Sequence, residues 1–174
     1  AVAIQPDGKI VAVGRSGGGD FGLVRYDAAG ALDATFGVGG LVTTDIGAFD
    51  EAFAVALQAD GKIVAAGTSA PAGFCCQFAL ARYHSNGSLD TSFGSGGVVT
   101  TIFGGSTQAF AVAIQADGKI VAVGSTSSPF ADSFARARYN PDGSLDAGCG
   151  SGGKVTTGLG GFDEARGIAI RADG

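Results

Sequence analysis

Short apolar runs separated by glycine-rich polar segments recur along the whole chain. The run Ile10–Val13 is typical, since it is wholly apolar and follows the polar pair Asp7–Gly8. Short apolar runs between turn residues favour β-strands that are buried on both faces. No stretch keeps a helical apolar period between two helix caps. The pattern therefore predicts an all-β protein.

The pattern occurs three times and then begins again. We divide the chain into repeats at residues 1–53, 54–110 and 111–166, followed by a partial fourth repeat at 167–174. The openings AVAIQPDGKIVAVG, AVALQADGKIVAAG and AVAIQADGKIVAVG align without a gap, as do FGLVRYDAAGALDATFG, FALARYHSNGSLDTSFG and FARARYNPDGSLDAGCG. Tandem similarity of this kind indicates one supersecondary unit stacked on copies of itself. Residues 1–174 are expected to form one such array.

Each repeat contains the signals of four antiparallel strands. The first strand leads into an Asp-Gly turn, where Asp bonds its own backbone and Gly accepts a positive φ. A second strand, a loop of variable length and a third strand ending in Arg-Tyr follow. The fourth strand is either the later Val-Thr-Thr segment or the shorter Leu-Asp-x-x-Phe segment before it, and we favour the former.

These units are predicted to be β-propeller blades. Consecutive apolar residues on the first two strands indicate sheets covered on both faces, as neighbouring blades cover one another in a propeller. A β-solenoid is the alternative, but its repeats are usually shorter. Closed propellers have about four to eight blades, so three blades plus one strand indicate an incomplete or open propeller. Further blades from a longer chain, or self-association, would cover the apolar outer faces.

The recurring residues resemble the bacterial delta-60 repeat. The string Ala-Ile-Gln-x-Asp-Gly-Lys-Ile-Val is followed by Ala-Arg-Tyr, Gly-Ser-Leu-Asp, Phe-Gly and Gly-Gly-x-Val-Thr-Thr, and the resemblance covers essentially the whole chain. The strand–Asp-Gly–strand opening is also similar to the NHL propeller repeat, although the unit here is longer. The resemblance implies a β-propeller from secreted or surface-associated bacterial proteins with no established catalytic activity.

Composition excludes several classes of protein. Hydrophobic residues make up 45% of the chain and charged residues 16%, which is too apolar for a disordered segment. No apolar run approaches the roughly 18 residues of a membrane helix, so we expect no membrane insertion. The net charge is −5, and the 11 Lys and Arg are dispersed. Without a basic patch, nucleic acid is not an expected partner.

Comparing the repeats separates scaffold residues from candidate functional ones. A recurring arginine and a recurring aspartate are predicted to cap a turn or form an ion pair in each blade: Arg25, Arg82 and Arg138, with Asp33, Asp90 and Asp146. Cys149 occupies the position of Phe36 and Phe93, so it is predicted to replace a buried apolar side chain.

The loops between the second and third strands change while the strands scarcely do. Variable loops on a rigid scaffold are typical of recognition surfaces, and a protein or carbohydrate ligand is the expected partner. The candidate interaction residues are Arg15, Asp20, Phe74, Cys75, Cys76, Gln77, Phe130 and Asp132. Adjacent cysteines pair only under strain and supply too few metal ligands, so Cys75 and Cys76 are interpreted as incidental.

Paired carboxylates are predicted in the loops that precede the first strands. Asp50 and Glu51 form one pair and Asp163 and Glu164 the other, whereas the middle repeat has Thr107 and Gln108. Near a channel mouth, such oxygen ligands would suit Ca²⁺. The alternative is a solvated acidic loop without a metal, and no other cofactor is expected.

Catalysis has little support in these residues. His84 is the one histidine and occupies a turn position, so any Ser-His-Asp or Cys-His arrangement would depend on it. The Gly-Gly pairs lack the Lys-Ser/Thr of a phosphate loop. We therefore predict a non-catalytic binding scaffold of a secreted or cell-surface bacterial protein. The alternatives are a propeller hydrolase or lyase with a channel-bound divalent cation and catalytic residues partly in missing blades, and a purely structural spacer.

Overall fold

A computed structural model describes residues 1–71, 76–127 and 131–171, and these residues form an all-β structure. The strands are β1 (Val2–Ile4), β2 (Ile10–Arg15), β3 (Phe21–Tyr26), β4 (Leu41–Thr44), β5 (Phe49–Leu57), β6 (Ile63–Ala70), β7 (Gln77–Tyr83), β8 (Val98–Thr101), β9 (Ser106–Ile114), β10 (Ile120–Ser127), β11 (Asp132–Tyr139) and β12 (Lys154–Gly161). Within the described ranges, no helix has the length and hydropathy needed to cross a membrane.

The strands form three open, four-stranded antiparallel sheets, which are β-propeller blades. Strand order follows the chain in each: β1 to β4 in blade 1, β5 to β8 in blade 2 and β9 to β12 in blade 3. The predicted four-stranded repeat is therefore confirmed. The fourth strand is the Val/Thr segment, as favoured. The Leu-Asp-x-x-Phe segment forms a turn instead, held to the sheet by a single bridge between Tyr26 and Leu32 in blade 1.

The Asp-Gly turns form where the sequence places them. Asp7 Oδ1 accepts the N–H of Lys9 at 3.2 Å, and Gly8 has a φ of +83°, a region that L side chains disfavour. Asp60 and Asp117 each accept the equivalent lysine N–H at 3.1 Å. The turn thereby fixes the register of the first two strands, which pairs Ile4 with Ile10 in blade 1.

The blades pack face to face and enclose two hydrophobic cores. Val11 and Phe21 of blade 1 pack with Ile63 of blade 2 in the first core. Leu80 of blade 2 packs with Ile120 of blade 3 in the second. Blade 2 lies between both cores, and its strands β6 and β7 are buried along nearly their whole length. The prediction of sheets buried on both faces is confirmed for this blade.

The outer face of blade 1 is exposed, as expected for the first blade of an open array. Val2 and Ile4 are 62% and 70% exposed, and burial alternates along β2 and β3. Only one face of this sheet meets another blade in the chain. The outward side chains therefore stay partly exposed, although their sequence is nearly the same as in blade 2.

A tyrosine–threonine hydrogen bond joins each blade to the next. The Tyr83 hydroxyl of blade 2 lies 2.8 Å from Thr44 Oγ1 of blade 1, and both side chains are buried. Tyr139 of blade 3 and Thr101 of blade 2 repeat this contact at 2.8 Å. The recurring Arg-Tyr and Thr-Thr pairs of the sequence thus contribute directly to the blade interface.

The recurring arginine forms the predicted ion pair and also reaches the next blade. Arg25 Nε donates to Asp33 Oδ2 at 2.9 Å, while its Nη1 donates to the Ser85 carbonyl of blade 2. Arg82 repeats both contacts, with Asp90 at 2.9 Å and with the Pro141 carbonyl of blade 3. Arg138 and Asp146 complete the set of ion pairs at 2.8 Å. The ion-pair prediction is confirmed.

Hydrogen bonding keeps this aspartate ionised. Hydrogen bonds from Thr35 and Lys9 hold the pKa of Asp33 well below its ordinary value, outweighing the effect of burial, and Arg25 adds to the lowering. The carboxylate therefore keeps its charge, and its bond to Arg25, in moderately acidic solution.

The innermost strands of blades 2 and 3 each contain a bulge. In β5 the register shifts between Ala52 and Ala54, which leaves Phe53 as the extra residue. β9 has the equivalent irregularity opposite Val123 and Gly124. The Phe53 and Phe110 rings lie 5.5 Å apart, centroid to centroid. β5 begins at Phe49, so this strand crosses the 53/54 repeat boundary.

The bulge leaves no room for a side chain opposite it. A Cβ added to Gly67 would lie 1.9 Å from the Glu51 carbonyl oxygen, a separation that real atoms do not tolerate. The equivalent Gly14 in blade 1 has no atom within 4 Å of such a Cβ. The two glycines hold the same sequence position but experience different packing.

We predict that Gly67→Ala destabilises the chain by about 1–3 kcal/mol through overpacking. Gly14→Ala should change the free energy of unfolding by less than about 0.5 kcal/mol. Urea titration followed by circular dichroism measures both values. Equal effects in the two variants would contradict the bulge geometry.

Alkaline pH should weaken the blade interface. Burial raises the pKa of Tyr83 to about 12, and the hydrogen bond with Thr44 only partly opposes this. In the unfolded chain a tyrosine hydroxyl has a pKa nearer 10. The stability that the buried, protonated Tyr83 hydroxyl contributes is therefore present below pH 10 and is lost as the pH rises to about 12. Denaturant titrations from pH 8 to pH 12 should show this decline, and Tyr83→Phe should lessen it. A decline that is unchanged in Tyr83→Phe would contradict the assignment.

Candidate functional site

The loops between the second and third strands lie at one end of the blades, together with the connections between blades. We call this end the loop face. The structure places the predicted interaction residues as follows: Arg15 ends β2, Asp20 precedes β3, Cys76 precedes β7, Gln77 begins β7 and Asp132 begins β11. Phe74, Cys75 and Phe130 lie outside the described residues.

Each described loop is anchored on the innermost strand of the next blade. The Asp50 N–H donates to the Gly19 carbonyl at 2.6 Å, and the Thr107 N–H donates to the Cys76 carbonyl at 2.8 Å. Thr107 Oγ1 donates to the same Cys76 carbonyl at 3.3 Å. The base of each loop is therefore fixed by a backbone bond to a neighbouring sheet.

The placement of Asp50 and Glu51 in a loop is wrong, because both residues lie within β5. Asp50 is fully buried, and its Oδ2 accepts the N–H groups of Ile46 and Gly47 at 2.7 and 2.9 Å. Glu51 is half-buried and pairs with Thr68 on β6. The strand extends further than the sequence indicated because the bulge at Phe53 adds a residue without ending the pairing.

The second acidic pair does lie outside a strand, in the segment that follows β12. Asp163 Oδ2 accepts the Leu159 N–H at 2.6 Å, a contact similar to that between Asp50 and Ile46. Glu164 pairs with Arg166. Asp163 therefore caps a turn in the way that Asp50 does.

Three carboxylates meet on the loop face between blades 1 and 2. One oxygen each from Asp20, Asp45 and Asp50 lies within 4.8 Å of the other two. They come from the loop before β3, the residue after β4, and β5. Sequence reasoning singled out Asp20 and Asp50 separately but missed Asp45. A signal was present, because Asp45 aligns with Ile102 and Gly158 in the other repeats and so occurs once.

The cluster is electrostatically unbalanced. Asp50 Oδ1 is buried and has no hydrogen-bond partner. Asp20 is half-buried, with Oδ2 3.3 Å from the donating Ser16 hydroxyl, and Asp45 is exposed. Among the described residues, no salt bridge reaches these three carboxylates. Like charges at this spacing repel, and a cation would relieve the repulsion.

A second concavity lies at the opposite end, where the innermost strands turn. It has a volume of about 920 Å³, and Gln5, Gln58 and Gln115 contribute to its lining. The side-chain oxygens of all three glutamines are buried without a hydrogen-bond partner. Because the same residue stands at this position in each complete repeat, we assign the glutamines to the blade scaffold.

The Asp-Gly turns, the Arg–Asp ion pairs and the tyrosines that recur after the arginines fall in residues 5–36, 58–93 and 115–148. These ranges match the model of a family described as a β-propeller domain of unknown function, DUF5122. These residues make up more than half of the chain. The chain belongs to the DUF5122 β-propeller family. No curated protein matches it. Asp45 and Asp50 lie outside the ranges that match the DUF5122 model.

Two further residues that the sequence analysis singled out, Cys149 and His84, belong to the scaffold of the DUF5122 propeller. Cys149 is 5% exposed, which confirms that it takes the buried position of Phe36 and Phe93. His84 lies just after β7 and is half-exposed, with Nε2 3.8 Å from Asp90 Oδ1. This placement agrees with its interpretation as a turn residue.

Proposed function

We propose that the chain is a non-catalytic binding scaffold from a secreted or cell-surface bacterial protein of the delta-60 type. The observation that carries this proposal is the contrast between fixed and variable parts. The contacts between blades repeat from copy to copy, whereas the loops seated on them differ in length and chemistry. A constant framework with variable loops suits recognition.

The loop face offers both charge and aromatic surface to a ligand beside the loop between β2 and β3. The Arg15 guanidinium stacks over the Phe49 ring at 5.0 Å from its centroid, and Phe49 is 40% exposed. An exposed aromatic ring with a stacked cation supports contact with a protein side chain or a sugar ring. We therefore propose a protein or carbohydrate ligand, with neither nucleic acid nor membrane as a partner.

We rank catalysis and a purely structural spacer below recognition. The glutamines that line the concavity opposite the loop face occur in every complete repeat. A catalytic centre instead needs an asymmetric set of acids, bases or nucleophiles. A spacer would not require loops that diverge while the strands stay constant.

The outer faces of the array are proposed to contact further blades, from a longer chain or a second copy. Tyr26 of blade 1 and Thr157 of blade 3 are the counterparts of Tyr83 and Thr101, which join neighbouring blades. Thr157 is exposed, whereas Thr101 is 4% exposed. A blade placed on either face would repeat a contact already present twice.

We predict that ligands selected on glycan and extracellular-protein arrays bind through the loop face. Arg15→Ala combined with Phe49→Ala, which removes the stacked cation and ring, should lower the affinity at least about tenfold, which corresponds to about 1.4 kcal/mol. Surface plasmon resonance with the selected ligand measures the change.

His84→Ala is the matched control, because His84 is half-exposed at the opposite end of the blades. It should leave the affinity unchanged. Both variants must keep the wild-type circular dichroism spectrum. Binding that survives the double substitution, or folded protein that binds nothing on either array, would contradict the proposal and favour the spacer.

A further inference from the structure

We propose that Asp20, Asp45 and Asp50 form a Ca²⁺ site that joins blade 1 to blade 2. The inference does not depend on the loop face binding a protein or carbohydrate. It rests on the spacing of the three carboxylates, on a buried oxygen without a partner, and on the contrast with the next blade interface.

The spacing fits a single hard cation. Ca²⁺ binds oxygen ligands at about 2.3–2.6 Å, so two ligands of one ion lie at most about 5 Å apart. One oxygen from each aspartate lies within 4.8 Å of the other two. Carboxylates are the preferred ligands of this ion, and water completes its coordination shell where protein oxygens do not. Asp45 is exposed, so solvent has access to the site.

The buried oxygen of Asp50 is an independent observation. The side chain is 0% exposed, and its Oδ2 is already held by the N–H groups of Ile46 and Gly47. Oδ1 is buried and has no partner. A buried carboxylate oxygen without a partner is unfavourable, and coordination of a metal ion is one way in which a protein satisfies it.

Among the described residues of the next interface there is no such cluster, and the equivalent position is closed differently. The positions of Asp20, Asp45 and Asp50 are taken there by Gln77, Ile102 and Thr107. The Thr107 backbone N–H and hydroxyl both donate to the Cys76 carbonyl, and Thr68 Oγ1 donates to the Thr107 carbonyl at 3.0 Å.

Neutral hydrogen bonds therefore close this position between blades 2 and 3, whereas three carboxylates meet at the equivalent position between blades 1 and 2. A bound Ca²⁺ would link the loop before β3, the end of β4 and β5 at that point. The ion would thereby fix the loop between β2 and β3 against blade 2.

The test is a calcium titration of the 174-residue chain by isothermal titration calorimetry, with melting curves in CaCl₂ and in EDTA. We expect one ion per chain with a dissociation constant of about 10⁻⁴–10⁻³ M, the range of extracellular calcium modules. The melting temperature should rise by several degrees in 10 mM CaCl₂, because the ion binds the folded state. MgCl₂ at the same concentration should have a much smaller effect.

Two ligand variants and one control locate the ion. Asp45→Asn alters an exposed side chain, and Asp50→Asn retains an oxygen that can accept the Ile46 and Gly47 N–H groups. Each should weaken calcium binding at least tenfold. Asp163→Asn changes the counterpart of Asp50, which also caps a turn but lies outside the cluster, and it should bind calcium like the wild type.

The melting curves separate loss of the site from general damage. In EDTA, Asp45→Asn and Asp50→Asn should melt at or above the wild type, because each removes a repelling charge. In CaCl₂ both should melt below it. Absence of calcium binding at 10 mM, equal binding by Asp45→Asn, or an equal response to Mg²⁺ would overturn the proposal.

Discussion

Face-to-face packing of the blades is the constraint on which the rest of the structure depends. A sheet with apolar residues on both faces needs a neighbour on each side, and blade 2 has both. The polar contacts of the interface follow from this arrangement. Tyr83 reaches Thr44 and Arg25 reaches the Ser85 carbonyl only because two sheets are in contact. Burial is the main favourable term, and these bonds fix the relative position of the sheets.

The bulges on β5 and β9 link this packing to the loop face. The extra residue at Phe53 lets the innermost strand continue to Phe49 and so places Asp50 beneath the loop of the preceding blade. The loops of blades 1 and 2 thus each rest on a sheet to which they do not belong. The stability of the blades and the position of the loops therefore depend on the same interfaces. At the interface between blades 1 and 2, three carboxylates take the place of neutral side chains, so a bound cation could stabilise that interface.

Local signals in the sequence were sufficient for the blade itself. The Asp-Gly turns, the strand order and the buried position of Cys149 all follow from residue type and repeat alignment. Contacts between blades were harder to predict, because they join residues far apart in sequence, and one partner is often a backbone carbonyl such as that of Ser85. The bulge was also hidden, since Phe53 is apolar and fits the pattern of an uninterrupted strand. Because the repeat boundary at 53/54 was taken as the start of the strand, Asp50 was assigned to a loop and its meeting with Asp45 was missed.

Hydrogen exchange of the backbone amides, followed by NMR, tests most directly the claim that blade interfaces carry the stability. Amides that open only with global unfolding exchange most slowly. We predict that β6 and β7 of blade 2 contain the slowest amides and that β2 and β3 of blade 1 exchange faster, although the sequences of β2 and β6 are nearly the same. Equal protection in blades 1 and 2, or slower exchange in blade 1, would contradict it.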